Sequence, residues 1–161
     1  MAKTIQVDGL ALIRCCTVGG ALADVGYTIN GVEITEQIFT EDVKGDENGG
    51  DPGPPIDVQY LGEKHIIRMT MTKYDESELN KIRAGIAGGT AGTIGTSGTL
   101  YFQGSVSWRL LIQTTNRPRN YNNVIFREPK EINKGTLHSK AIVVAEAFYG
   151  SGGVIYNSTT S

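Results

Sequence analysis

The chain of 161 residues carries two cysteines, two histidines, one tryptophan and five prolines, and each scarcity removes a class of protein. The cysteines are neighbours, Cys15 and Cys16. A vicinal pair cannot staple distant segments and lacks the spacing of a zinc or redox motif, so the two read as thiols in a strand of a cytosolically made protein. With only His65 and His138 available, nucleophilic catalysis has few bases to draw on. His65 falls on a strand and His138 beside a loop. Each reads as a surface or satisfied histidine rather than a catalyst, and no enzyme is expected. Long apolar runs are also missing. Met1-Ala-Lys leads straight into Thr4-Ile5-Gln6-Val7 without the apolar core of a signal peptide, and no stretch approaches the length of a bilayer span. No membrane insertion is therefore expected. Nor is there an excess of one charge. The net charge of −2 creates no global field to recruit nucleic acid or an anionic membrane.

What is abundant is glycine. The 21 glycines exceed the share in an ordinary domain, while the apolar 39% and charged 20% fall below it. Glycines in such number belong in turns, loops and bulges, which favours a β-rich fold with long connections. The length suits one domain over residues 1–161, with a loop arm at 36–56 and a flexible tail at 150–161.

Along the chain, Leu10–Cys16 is an apolar strand candidate. Tyr27-Thr-Ile-Asn30-Gly31-Val-Glu-Ile34 predicts a hairpin, because Asn-Gly supplies the positive φ angles of a tight turn. The acidic, glycine-rich run 40–55, TEDVKGDENGGDPGPP, reads as a loop closed by prolines. Ile56, Val58 and Tyr60 then share a face, Leu61-Gly62-Glu63 predicts a turn, and Lys64–Tyr74 a long strand. On that strand His65, Ile67, Met69 and Met71 face one way, and Ile66, Arg68, Thr70 and Thr72 the other. Asp75 is a good helix N-cap with Glu78 at the capping-box position, and Leu79, Ile82 and Ile86 give the apolar stripe of a short helix ending near Gly85.

The run 85–98 is low-complexity Gly/Thr/Ala/Ser, a flexible connection without the Lys-Ser/Thr ending of a phosphate loop. Val106, Trp108, Leu110 and Ile112 share a strand face, Arg117-Pro-Arg-Asn turns the chain, Val124–Phe126 is a short strand, and Glu128–Gly135 a polar connection. The last strong strand, Ser139–Tyr149, is apolar on both sides. Ala141, Val143, Ala145 and Ala147 lie on one face; Ile142, Val144 and Phe148 lie on the other. Such a strand must be covered twice, once by the core and once by something else, for example a neighbouring subunit. These elements predict a mainly β chain, an antiparallel β-sandwich or partly closed β-barrel with one short flanking α-helix and long loops.

The charges are segregated. Glu36, Glu41, Asp42, Asp46, Glu47 and Asp51 crowd residues 36–51 with Lys44 alone against them, while Arg109, Arg117, Arg119, Arg127, Lys130 and Lys134 dominate 109–134. The acidic spacing fails the calcium-loop pattern, and no metal or cofactor is expected. Two readings stand: loops of opposite sign solvated or paired within one subunit, or complementary patches on neighbouring copies that fix register. Stacking platforms for nucleic acid are not interleaved with the basic residues.

With these residues in place, the chain resembles the tail-tube proteins of tailed bacteriophages. The likeness runs from about Val25 to Tyr149 through VGYTINGVEI, the long arm, IDVQYLGEKHIIRMTMT, the helix start YDESEL and the closing strand KAIVVAEAFY; the Gly/Thr-rich run 85–98 departs from it. The resemblance implies a virion structural protein, assembled in the host cytoplasm, forming usually hexameric rings that stack into a hollow tube. DNA would pass through without being specifically bound. It further implies that the arm stacks on the neighbouring ring and that Ser139–Tyr149 helps close the ring. Contact residues between copies would include Glu41, Asp42, Asp46, Glu47 and Asp51 on the acidic side, Arg117, Arg119 and Arg127 on the basic side, and Ile142, Val144 and Phe148 on the outer strand face. The alternative is a capsid decoration protein binding a phage head as trimers.

Overall fold

The structure is a computed structural model of the chain. It describes residues 4–5, 9–17, 21–81, 97–98, 100, 108–132, 139–149 and 153–159.

Period-two apolar alternation makes the strands, and the residues it selects form one core. The inner faces of β3 (Asp57–Tyr74), β4 (Trp108–Gln113) and β6 (Lys140–Ala147) bury His65, Ile67, Met69 and Met71; Trp108, Leu110 and Ile112; and Ala141, Val143, Ala145 and Ala147, as the alternation predicts. They meet Ile13 of β1 (Leu12–Thr17), Val25 of β2 (Ala23–Val43), and Tyr121, Val124 and Phe126 of β5 (Arg119–Ile132). The strands pair antiparallel in the order β4-β1-β2-β3-β6-β5, and β4 also pairs with β5, so the sheet closes on itself. Of the two architectures expected, the fold is thus a six-stranded closed barrel rather than a sandwich. Closure joins the first and last strands of the sheet through β4–β5, and small inner side chains on β6 help so narrow a barrel fill itself with side chains.

Four local readings need correction. Asn30 and Gly31 do have positive φ, 61° and 79°, yet the chain bulges there instead of reversing. Thr28 pairs with Met71 and Val32 with Met69, so four residues of β2 advance against two of β3. A hairpin would have offered residues 32–38 only residues 23–29 as partner, whereas β3 offers Ile67, Met69 and Met71. Leu61-Gly62-Glu63 is likewise a bulge within one 18-residue strand: Phe39 pairs with Gly62 and Thr40 with Tyr60, leaving Leu61 as the extra residue. The expected loop at 40–55 begins inside β2, because Thr40–Val43 are paired back to Asp57–Tyr60. Finally, β5 continues through Glu128–Ile132 where a polar connection was expected. Pro129 is tolerated because, among the described residues, this half of β5 pairs only with β6, leaving one edge where a missing N–H costs no ladder bond.

The single α-helix among the described residues, α1 (Glu76–Lys81), starts where Asp75 Oδ1 accepts from the Ser77 N–H at 2.9 Å, and Leu79 anchors it in the core. Ile82, Gly85, Ile86, Val106 and nearly all of the run 85–98 lie outside the described residues. Part of the segment read as a flexible tail is docked. The short β7 (Tyr156–Asn157) pairs with Asn120 and Tyr121 of β5, and Ile155 is buried in the core.

Candidate assembly surfaces

β1 last pairs β2 at Tyr27, and β6 last pairs β3 at His65, opposite Glu36. Past that rung β2 and β3 have, among the described residues, only each other, so residues 37–43 and 57–64 form a two-stranded arm that leaves the barrel. Its tip is well ordered by its own bonds. A 3₁₀ turn at Asp46–Asn48 is closed by Asn48 N–H and Gly50 N–H donating to the Gly45 carbonyl, each at 3.1 Å. Lys44 Nζ reaches the Gly53 carbonyl at 2.6 Å, and Ile56 N–H the Val43 carbonyl at 2.9 Å. A Cβ on Gly53 would lie 2.1 Å from the Asn48 oxygen, so only glycine lets the turn fold back this closely.

Seven large apolar side chains of the arm are exposed: Ile38, Phe39, Val43, Ile56, Val58, Tyr60 and Leu61. By strand alternation and the bulge the six within the strands divide between both faces, Ile38, Val58 and Tyr60 on one and Phe39, Val43 and Leu61 on the other. A two-stranded ribbon with apolar groups on both faces and outer edges unpaired among the described residues has the make-up of an association surface rather than of a solvent-adapted loop. The Tyr60 and Tyr149 hydroxyls lie 2.6 Å apart, tying the arm to the chain just after β6. That bond, with burial and the nearby Glu63, pushes the Tyr60 phenol up to about 12.

The predicted contact residues fall into three places. Glu41 and Asp42 lie on the arm's opposite faces and Asp46, Glu47 and Asp51 at its tip; all five are exposed, and among the described residues none has an ion-pair partner. Arg117 and Arg119 come together at the arm's end of the barrel, lining a cavity of about 600 Å³ with Asn30, Val32 and Tyr156. Arg119 is already engaged: it donates to the Tyr121 hydroxyl at 3.1 Å, lies 3.6 Å from Glu36, and stacks 4.3 Å from the Tyr156 ring centre. The Glu36–Arg119 pair therefore joins the acidic and basic segments within one chain.

Arg127 lies apart, on the outside of the barrel. Its Nε donates to Glu146 Oε2 at 2.5 Å, and Lys64 Nζ donates to Oε1 at 3.1 Å. Glu146 is buried on the outer face of β6, in line with the half-buried Ile142, Val144 and Phe148, so that face is interrupted by a paired carboxylate. Burial pushes the Glu146 carboxyl up, but the bonds from Arg127 and Lys64 outweigh it and hold the group below its ordinary value. A carboxyl depressed by folding stabilises above its unfolded pKa, and that contribution fades as pH falls through the folded one. Thermal melts should therefore show stability falling from about pH 4.5 downward, with Glu146→Gln flattening this part of the profile.

Sequence reasoning missed Glu146 and the arm's apolar residues as parts of these surfaces. The signals were present: one carboxylate in the otherwise apolar Ile142–Phe148, and seven apolar residues flanking a polar tip.

No protein-family model matches the sequence, and no curated protein matches it in sequence. Solved structures do match in fold. A chain in the tail of an empty gene transfer agent (GTA) particle, determined by helical refinement with C6 symmetry, superposes with a TM-score of 0.53 at 11% identity, covering 93% of this chain and 96% of that one. A chain in the virion of the native GTA particle gives 0.51 at 10% identity, covering 93% and 95%. At such identity the likeness is one of fold, and it spans nearly the whole of each chain. The chain thus shares its fold with chains of a phage-like particle's tail and virion, in keeping with the tail-tube outline that its sequence resembles.

Proposed function

We propose that this chain is a structural virion protein whose copies join into rings that stack into a tail tube, with the β2–β3 arm as the principal contact between copies. The observation that carries the reading is the arm itself: an ordered ribbon, apolar on both faces and exposed in the single chain. Its fold neighbours include a chain of a tail refined with C6 symmetry, which supports a ring of six as the repeating unit. The unpaired carboxylates of the tip would meet basic groups of another copy and set register, while the apolar faces supply most of the attraction. On this reading the protein performs no catalysis, assembles in the host cytoplasm, and forms a conduit through which DNA passes without specific contacts.

Negative-stain microscopy and light scattering of the purified, untagged protein at high concentration test this. Rings or tubes are expected, and replacing residues 38–63, the whole arm beyond the Gln37–Lys64 rung, by a two-residue Asn-Gly turn should abolish stacking while the barrel stays folded. A monomer or trimer that never polymerises, yet binds phage heads, would replace the tube by capsid decoration.

A further inference from the structure

The rung that pairs Glu36 with His65 is also where β3 loses β6, since His65 is the last β3 residue with a β6 partner, Ala147. Whatever fixes this rung fixes the direction in which the arm leaves the barrel. Four side chains from three strands form a closed circuit there. His65 Nδ1 lies 3.1 Å from the Tyr121 hydroxyl, Arg119 Nη1 donates to that hydroxyl at 3.1 Å, and the same Nη1 lies 3.6 Å from Glu36 Oε1. Glu36 Oε1 and Glu63 Oε2 each stand 4.0 Å from His65 Nε2. Tyr156 of β7 packs against both His65, at 5.8 Å between ring centres, and the Arg119 guanidinium. The imidazole is only 2% exposed.

Hydrogen-bond chemistry places the protons. Arg119 can only donate, so the Tyr121 oxygen accepts from it, and in the Nε2–H tautomer the phenol gives its own hydrogen to Nδ1 of a neutral imidazole. Nε2 then carries the ring proton toward the two carboxylates. A second proton from solvent must land on Nδ1. The phenol hydrogen then loses its acceptor inside a buried site, and imidazolium and guanidinium share one phenol oxygen.

We propose that the Glu36–His65–Tyr121–Arg119 circuit is a proton-sensitive latch at the root of the arm, closed when His65 is neutral and opened when His65 takes up a proton, which frees the arm to swing against the barrel. The latch belongs to the single chain and holds whether or not copies stack into tubes. Burial lowers the pKa of His65 from its ordinary 6.5; Glu36 and Glu63 oppose this and Arg119 adds to it. An unfolded histidine therefore protonates first as pH falls below about 6.5, and the latched state loses stability from there down to the folded pKa.

The test uses the unassembled, ¹⁵N-labelled full chain carrying His138→Asn, which leaves His65 as its only histidine, titrated from pH 8 to pH 4.5 by NMR. His65 should start as the single Nε2–H tautomer and titrate below 6.5. Amides of Gln37, Ile38, Glu63 and Lys64 should follow the same midpoint, with exchange at least about tenfold faster than the intrinsic pH effect explains. Tyr121→Phe, which keeps the ring and removes the hydroxyl, should raise the His65 midpoint and loosen the same amides at pH 8, leaving those of Leu110 and Val143 protected. The latch is refuted if His65 titrates at its ordinary value, if it stays neutral until the barrel unfolds, or if it titrates while the arm amides do not respond. Polymerisation is scored separately, so tubes without this coupling would sink the latch and leave the assembly reading intact.

Discussion

Removing the apolar groups from either face of the arm should raise the concentration needed for polymerisation by about 30-fold, and removing both sets by about 1,000-fold. One variant pairs Ile38→Thr with Val58→Thr, and the other pairs Phe39→Thr with Leu61→Thr; threonine keeps strand propensity at each site. In the single chain these side chains are 57%, 50%, 42% and 56% exposed, so roughly half of their area remains to be buried by a partner. Complete burial of such a side chain contributes about 1.5–3 kcal/mol, so two half-burials contribute about 2 kcal/mol. Every 1.4 kcal/mol is about tenfold in association. The barrel itself should notice little, because exposed substitutions shift stability by about 0.5 kcal/mol or less each. Sedimentation velocity across a concentration series, with a urea melt of each variant, separates the two effects. Loss of assembly from only one pair would show that a partner covers a single face of the arm. No loss from either would remove the arm as the contact.

Tyr121→Ala should be among the most damaging single changes to the fold. The side chain is fully buried, its ring lying 5.7 Å from His65 and 5.4 Å from Tyr156 between ring centres, and its hydroxyl serves both His65 and Arg119. Truncating a large buried aromatic costs about 3–5 kcal/mol through lost transfer energy and the cavity left behind. Against a total stability of about 5–15 kcal/mol, that brings the midpoint of a urea melt down by about a fifth or more. Tyr121→Phe keeps the ring and leaves a half-buried guanidinium and a buried imidazole short of one partner, for about 1–2 kcal/mol. Equal losses from the two variants would mean that the polar circuit, rather than ring packing, carries the contribution of this residue.

How far the sequence can be read is seen in the long strands. Period-two alternation assigns His65, Ile67, Met69 and Met71 to the inside of β3, and Ala141, Val143, Ala145 and Ala147 to the inside of β6, because burial on one side selects every second residue. The helix start is legible at Asp75, whose carboxylate does cap Ser77. The same local signals fail at Asn30-Gly31 and at Leu61-Gly62-Glu63. Both have the composition of turns, and both are bulges inside continuous strands. A positive φ is compatible with either outcome; which one forms depends on the partner waiting opposite, and that partner is remote in sequence. The acidic run 40–55 misleads for a related reason. Its polar residues are those of a loop, yet Thr40–Val43 acquire strand conformation from Asp57–Tyr60.

The sequence by itself therefore determined the β-rich class, the inward face of each main strand, the helix cap and the separation of acidic from basic segments, all consequences of residue type and short-range spacing. It also held the likeness to tail-tube proteins that the fold comparison supports. Only the tertiary structure decided that the sheet closes through the β1–β4 and β4–β5 pairings, and that the arm is a bifacial apolar ribbon. It alone brought Glu146 to Arg127 and Lys64, and His65 to Tyr121, Arg119 and Glu36. These residues lie 19 to 82 positions apart, for Glu146 with its two partners. Contacts of that kind are set by strand order and register, which depend on how all the apolar faces can be buried together and not on any one segment's own pattern.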